Sequence, residues 1–81
     1  MKIEFKTSGV CCRKIILDVN DNNIIEDVVF EGGCNGNLSG IGKLIIGQDA
    51  KDVAERVKGT ICGNKATSCP DQLSKAILEN L

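Results

Sequence analysis

Two β-branched runs separated by four turn-forming residues set the strongest constraint on how this chain can fold. Residues 13–19 (RKIILDV) and 24–31 (IIEDVVFE) flank Asn20-Asp21-Asn22-Asn23. β-Branched side chains suit a pleated, half-buried surface, and Asn and Asp accept the backbone conformations of a hairpin turn. A tight turn centred on Asp21-Asn22 sets Val19 opposite Ile24, Leu17 opposite Glu26, Ile15 opposite Val28 and Arg13 opposite Phe30. One face then carries Ile15, Leu17, Val19, Ile24, Val28 and Phe30, and is the expected core face. The other mixes Lys14, Asp18, Asp27 and Glu31 with Ile16, Ile25 and Val29. Carried outward, the same register sets Cys11 opposite Gly32, with Cys34 two residues further on the same parity and Cys12 turned to the other face. A slip of one residue would reverse every one of these assignments.

The remaining segments fill in an α+β domain. Residues 2–6 (KIEFK) alternate, with Ile3 and Phe5 on one face, and read as a short strand. Residues 38–46 carry Leu38, Ile41 and Ile45 at helical spacing and end at Gly47. Residues 50–58 place Ala50, Val53, Ala54 and Val57 on one stripe, with Asp49 as N-cap and Gly59 just past the end. Residues 70–81 place Leu73, Ala76, Ile77 and Leu81 on one stripe, with Pro70 and Asp71 in the first turn and Cys69 at or beside the cap. The expectation is a single domain over residues 1–81: a small antiparallel sheet of about three strands, with about three helices packed on one face.

Composition narrows the function. The chain of 81 residues has 10 Ile, 6 Leu and 6 Val but two Phe and no Trp or Tyr, so its core is aliphatic. A domain of this size buries only about 60–65% of its unfolded surface and gains from a metal, a cofactor or a partner. A net charge of −1 and the lack of aromatic platforms speak against nucleic-acid binding. No apolar run of about 18 residues is present to span a membrane, and MKIEFKTSG does not resemble a signal peptide. A cytoplasmic location is expected, and an odd count of five cysteines fits a reducing compartment better than a disulfide framework. With no His, imidazole catalysis and nitrogen-ligated zinc are excluded, and no catalytic residue stands out.

Three cysteines lie among turn-forming residues: Cys34 in GGCNGN, Cys62 in ICGN and Cys69 in TSCPD. With Cys11 at the open end of the hairpin, they make a candidate four-thiolate metal site drawn from three segments. Zinc favours such a closed tetrahedron in structural sites; iron, alone or as an iron–sulfur cluster, is the second choice. The spacing contains no C-x-x-C pair and matches neither a zinc ribbon nor a common ferredoxin. The alternative is a set of separate buried cysteines, a common environment for a small apolar thiol. The loop Gly32-Gly33-Cys34-Asn35-Gly36-Asn37-Leu38-Ser39-Gly40 offers another reading: backbone amides of Gly32, Gly33, Asn35, Gly36 and Asn37 facing an anion such as a flavin phosphate. The same glycines also serve a tight connection with positive φ. A thiol redox protein using Cys62 with Cys69 is the third reading.

The sequence Thr67-Ser68-Cys69-Pro70-Asp71, followed by Gln72-Leu73 and preceded by Gly33-Cys34-Asn35-Gly36-Asn37-Leu38, resembles the small stand-alone TSCPD-domain family. The resemblance runs from about Gly9 to Leu81. A related domain closes adenosylcobalamin-dependent ribonucleotide reductases. The resemblance implies four recurrent cysteines, matched by motif to Cys11, Cys34, Cys62 and Cys69, and a metal or cofactor centre without an established reaction. Cys12 departs from the family pattern, which more often has a small polar residue there, and it competes with Cys11 as the ligand. The chain has no room for a radical-generating barrel, so the likeness does not make it a reductase. A structural or partner-docking role is expected, with an unidentified protein or a second copy of the chain as partner.

Overall fold

The computed structural model describes residues 1–7, 9–10, 12–33, 35–61, 63 and 67–81, with the backbone alone for Asn35. Strands β1 (Lys2–Lys6), β2 (Cys12–Val19) and β3 (Ile25–Gly32) form an antiparallel sheet in the order β1-β2-β3. Helices α1 (Asn35–Ile45), α2 (Ala50–Val57) and α3 (Cys69–Asn80) complete an α+β fold. Helix α1 packs on β3, α3 on β1 and β2, and α2 on α3. No helix among the described residues is long and apolar enough to cross a membrane.

The hairpin forms where expected, but its register differs. Its turn is a three-residue loop rather than a tight pair. Asn20 N–H donates to the Ile24 carbonyl at 3.0 Å, and Asn23 adopts a left-handed φ of 62°. The Asn20 side-chain oxygen collects the N–H groups of Asn22 and Ile24 at 2.9 and 3.0 Å, the local bonding for which Asn suits turns. Val19 therefore pairs with Ile25, not Ile24. A bulge at Glu26 then moves the ladder by one more residue, so that Leu17 faces Val28 and Ile15 faces Phe30. Two single steps add to an even number, so Val28 and Phe30 return to the core face. At Ile25, inside the bulge, the parity is reversed. Ile25 is fully buried and Ile24 only half-buried.

A second bulge, at Arg13, lies at the open end. Cys12, not Cys11, sits opposite Gly32, and Cys12 faces the core at 2% exposure. The extra residue reverses the parity that would have turned Cys12 outward. Around it the core is aliphatic: Ile3, Ile15, Leu17 and Val19 from the sheet meet Leu38, Ile45, Val53, Leu73 and Ile77 from the helices.

Helix boundaries follow local chemistry. Helix α1 begins at Asn35, three residues before the apolar stripe, and Gly47 at φ 88° ends it. Gly42 lets α1 lie close on β3, since a Cβ there would come within 3.2 Å of Val28 Cγ1. Asp49 caps α2 by accepting from Asp52 N–H at 3.0 Å, and Gly59 at φ 80° follows its end. The connection between α1 and α2 is stitched to the start of β3: Gly47 N–H donates to the Ile25 carbonyl at 2.7 Å and Ile25 N–H to the Gln48 carbonyl at 2.9 Å.

The outer edge of β3 is partly guarded. Met1 and Val19 exchange both backbone hydrogen bonds, so Leu17 bonds towards β1 and its partner Val28 turns its N–H away from β2. The carboxylate of Asp27 takes that N–H at 2.9 Å.

Candidate functional site

The five residues from Thr67 to Asp71 build the head of α3. Ser68, not Cys69, is the N-cap, with extended backbone at φ −150° and ψ 171°. Its hydroxyl oxygen accepts Asp71 N–H at 3.2 Å and donates its own proton to the Thr60 carbonyl at 2.6 Å. Cys69 is the first helical residue and Pro70 follows, where a missing N–H costs nothing. Asp71 lies in the first turn, favoured there by the helix dipole.

Asp71 is buried, at 7% exposure, and its carboxylate is fully engaged. One oxygen accepts Gly59 N–H at 2.8 Å; the other accepts the Thr67 hydroxyl. Gln72 in turn donates its side-chain amide to Thr67 Oγ1 at 3.0 Å. An ionised carboxylate can only accept, so the Thr67 proton points at Asp71 and the hydroxyl oxygen is left to accept from Gln72. The Thr67 hydroxyl is the main reason the Asp71 carboxyl is held below its ordinary value; the Gly59 amide and the Lys75 charge act the same way, and burial opposes them. Two adjacent backbone groups, Gly59 N–H and Thr60 C=O, are thereby bound to side chains of α3's first turn and cap.

The candidate thiols divide into two groups. Cys69 is buried at 6% exposure and belongs to the core cluster, as does Cys12. Cys11, Cys34 and Cys62 lie outside the described residues, so their assignment as ligands is neither met nor contradicted here. Among the described residues no group of three or more metal-capable side chains occurs. Their described neighbours, however, gather at one end of the molecule. Cys12 pairs with Gly32 across the sheet. The Thr7 hydroxyl donates to the Cys12 carbonyl. A Cβ on Gly9 would stand 3.5 Å from Thr67 Cγ2. Ser68 holds Thr60. The segments on which Cys11, Cys34, Cys62 and Cys69 are threaded thus have anchored flanks around the start of β2, the end of β3 and the head of α3.

The glycine-rich loop takes its shape from backbone freedom. Gly32 and Gly33 have φ of 83° and 78°, which suits the turn from β3 into α1. Asn35, Gly36 and Asn37 form the first turn of α1, with Gly36 and Asn37 exposed.

What the cysteine-centred reading missed is the polar network itself. Its signal was present in Ser68-x-x-Asp71, a capping-box spacing. The departure lies in where Asp71 reaches: to Gly59 and Thr67, not to the N-cap amide.

A family model described as the TSCPD domain matches residues 1–81, the whole chain. No curated protein and no solved structure matches it.

Proposed function

The chain belongs to the TSCPD-domain family, and from that premise we propose that it is a small metal-binding domain with Cys11, Cys34, Cys62 and Cys69 as thiolate ligands. The observation that carries the proposal is the gathering of the described flanks: the Cys12–Gly32 pair, the approach of Gly9 to Thr67, and the Ser68–Thr60 bond. The donor set fits zinc or iron, since the chain has five Cys and no His. Cys69, at the start of a helix, sits where the dipole favours the thiolate. Cys12 and Cys69 both lie in the buried cluster, so Cys11 is chosen over Cys12 on the family's motif alone. When bound, the metal would supply the cross-link that a small aliphatic core lacks. Zinc is the first choice and the role is structural.

The experiment is metal analysis of protein purified anaerobically, with its absorption spectrum. About one equivalent of metal per chain, lost in Cys69→Ser and retained in Cys12→Ala, is the expected result; below about 0.2 equivalents of any transition metal in the parent protein overturns the proposal. A colourless sample means zinc and a brown one iron–sulfur. A yellow sample with a flavin spectrum replaces the metal with the anion-binding reading of Gly32–Gly40.

A further inference from the structure

The free margin of β3 is both open and acidic. Val28 and Phe30 lie opposite Leu17 and Ile15, which bond towards β1, so both turn their N–H and C=O groups away from β2. Their side chains are half-buried against the core cluster. Between them and α1 runs a groove of about 330 Å³, walled on the helix side by Leu38, Gly42 and Ile46. On the other face of the sheet Asp27, Val29 and Glu31 stand in a row, all exposed. Among the described residues neither carboxylate has a cationic partner. Lys14, opposite Glu31, sends its ammonium group to Glu4 at 3.5 Å. Lys43, which also lines the groove, belongs to α1, across the sheet from both carboxylates.

We propose that this margin is a docking site for an extended segment of another protein, five residues reading cation, apolar, any, apolar, cation, which adds to the sheet as a fourth strand. The outward groups of Val28 and Phe30 bond its main chain. Side chains alternate along a strand, so its two apolar residues enter the groove beside Val28 and Phe30. Its end cations then reach Asp27 and Glu31 on the opposite face, and its middle residue covers Val29. The pattern is the same in both directions, so parallel and antiparallel segments both satisfy it. In the free chain Asp27 accepts Val28 N–H at 2.9 Å; the incoming strand takes over that amide and leaves the carboxylate to the cation. The margin consists of described residues and does not depend on the thiolate reading.

A second copy suits the site less well. Two β3 margins bring acid to acid: paired about Val29, Asp27 meets Glu31 twice. A neighbour's β1, Lys2–Lys6 (KIEFK), has the right pattern. Laid parallel to β3, however, it carries α3 onto the face that α1 already covers. Neighbouring strands lie about 4.8 Å apart and packed helices about 8–10 Å apart, so the two helices collide. Laid antiparallel, its outward-bonding residues Lys2, Glu4 and Lys6 turn their charges into the apolar groove.

The test is fluorescence anisotropy of a labelled, capped peptide Lys-Ile-Thr-Ile-Lys with the full chain, together with amide shifts of the ¹⁵N-labelled protein. Saturable binding is expected below about 1 mM peptide, with the largest shifts at Val28 and Phe30. Reversing the exposed pair, Asp27→Lys with Glu31→Lys, is expected to weaken binding about tenfold, as is replacing both peptide lysines by Glu. Peptides N-methylated at the second and fourth residues, or at the first, third and fifth, separate strand pairing from mere adhesion. One set loses binding and the other keeps it, and which one is lost reads the direction of the strand. No saturable binding at about 1 mM, equal behaviour of the two N-methylated sets, or unchanged affinity in the charge-reversed protein overturns the proposal. So does a sedimentation mass that doubles with concentration and falls on adding peptide, which would assign the margin to a second copy.

Discussion

Asp71 shows how one side chain sets the acid sensitivity of the fold. Its carboxyl is held below its ordinary value near 3.8, first by the Thr67 hydroxyl and next by the Gly59 amide. A lowered folded-state value means that the unfolded chain binds the proton more readily. The stabilisation is complete above the ordinary value and is lost as pH falls through the lowered one. In metal-free protein, denaturant melts at a series of pH values should show stability declining below about pH 4. Asp71→Asn should flatten that decline and cost about 1–3 kcal/mol at neutral pH. A decline of the same steepness in the variant would assign the acid sensitivity to other carboxylates. Cys12 makes the contrast at the same scale. It is buried at 2% among Ile, Leu and Val side chains, so Cys12→Ala should cost about 1 kcal/mol through the small cavity it leaves.

Among the elements, α1 is the one whose stability is easiest to raise. Gly40 lies mid-helix, and a Cβ there meets nothing within 4 Å. Gly40→Ala should stabilise the protein by about 0.5–1 kcal/mol in thermal or denaturant unfolding. Gly42→Ala makes the same change against Val28 Cγ1 at 3.2 Å and should show no such gain. Helix positions were legible in the sequence because capping residues and apolar stripes agree. Asp49, Gly59 and the Leu73–Ala76–Ile77 stripe each mark α2 or α3 within a residue or two. The hairpin was legible as an element but not in register. Asn23 can take a left-handed conformation as readily as the residues before it, and nothing local separates a two-residue from a three-residue turn. Bulges at Arg13 and Glu26 leave no periodic trace, since each inserts one residue into an otherwise alternating run. The TSCPD segment was read for its thiol, while most of its letters serve hydrogen bonds. Only the fold could show that Gly59 and Thr60 stand beside it.

At the scale of the whole molecule, an aliphatic cluster among the described residues joins the sheet to the helices. Leu73 and Ile77 of α3 are both fully buried within it. Leu73→Ala should cost about 2–5 kcal/mol, a large share of what a domain of this length holds. A bound metal changes that balance by mass action. A free concentration of one hundred times Kd adds about 2.7 kcal/mol, which corresponds to roughly 10–20 °C in Tm for a chain of this size. Scanning calorimetry of the protein with zinc and with a chelator measures it directly. Coincident curves would mean that zinc does not bind the folded chain.

One small contact bears on how these molecules behave in a crowd. The carboxylate of Asp27 occupies the outward N–H of Val28 on the free margin of β3. A row of vacant amides beside exposed Val29 would invite strands of neighbouring copies to stack without limit. Asp27 closes one of those positions and adds charge where a newcomer would lie. Removing it, as in Asp27→Ala, should leave the monomer folded yet speed the growth of thioflavin-positive fibrils at high concentration. The side chain of one surface carboxylate would then set how concentrated the protein can become before it is lost to fibres.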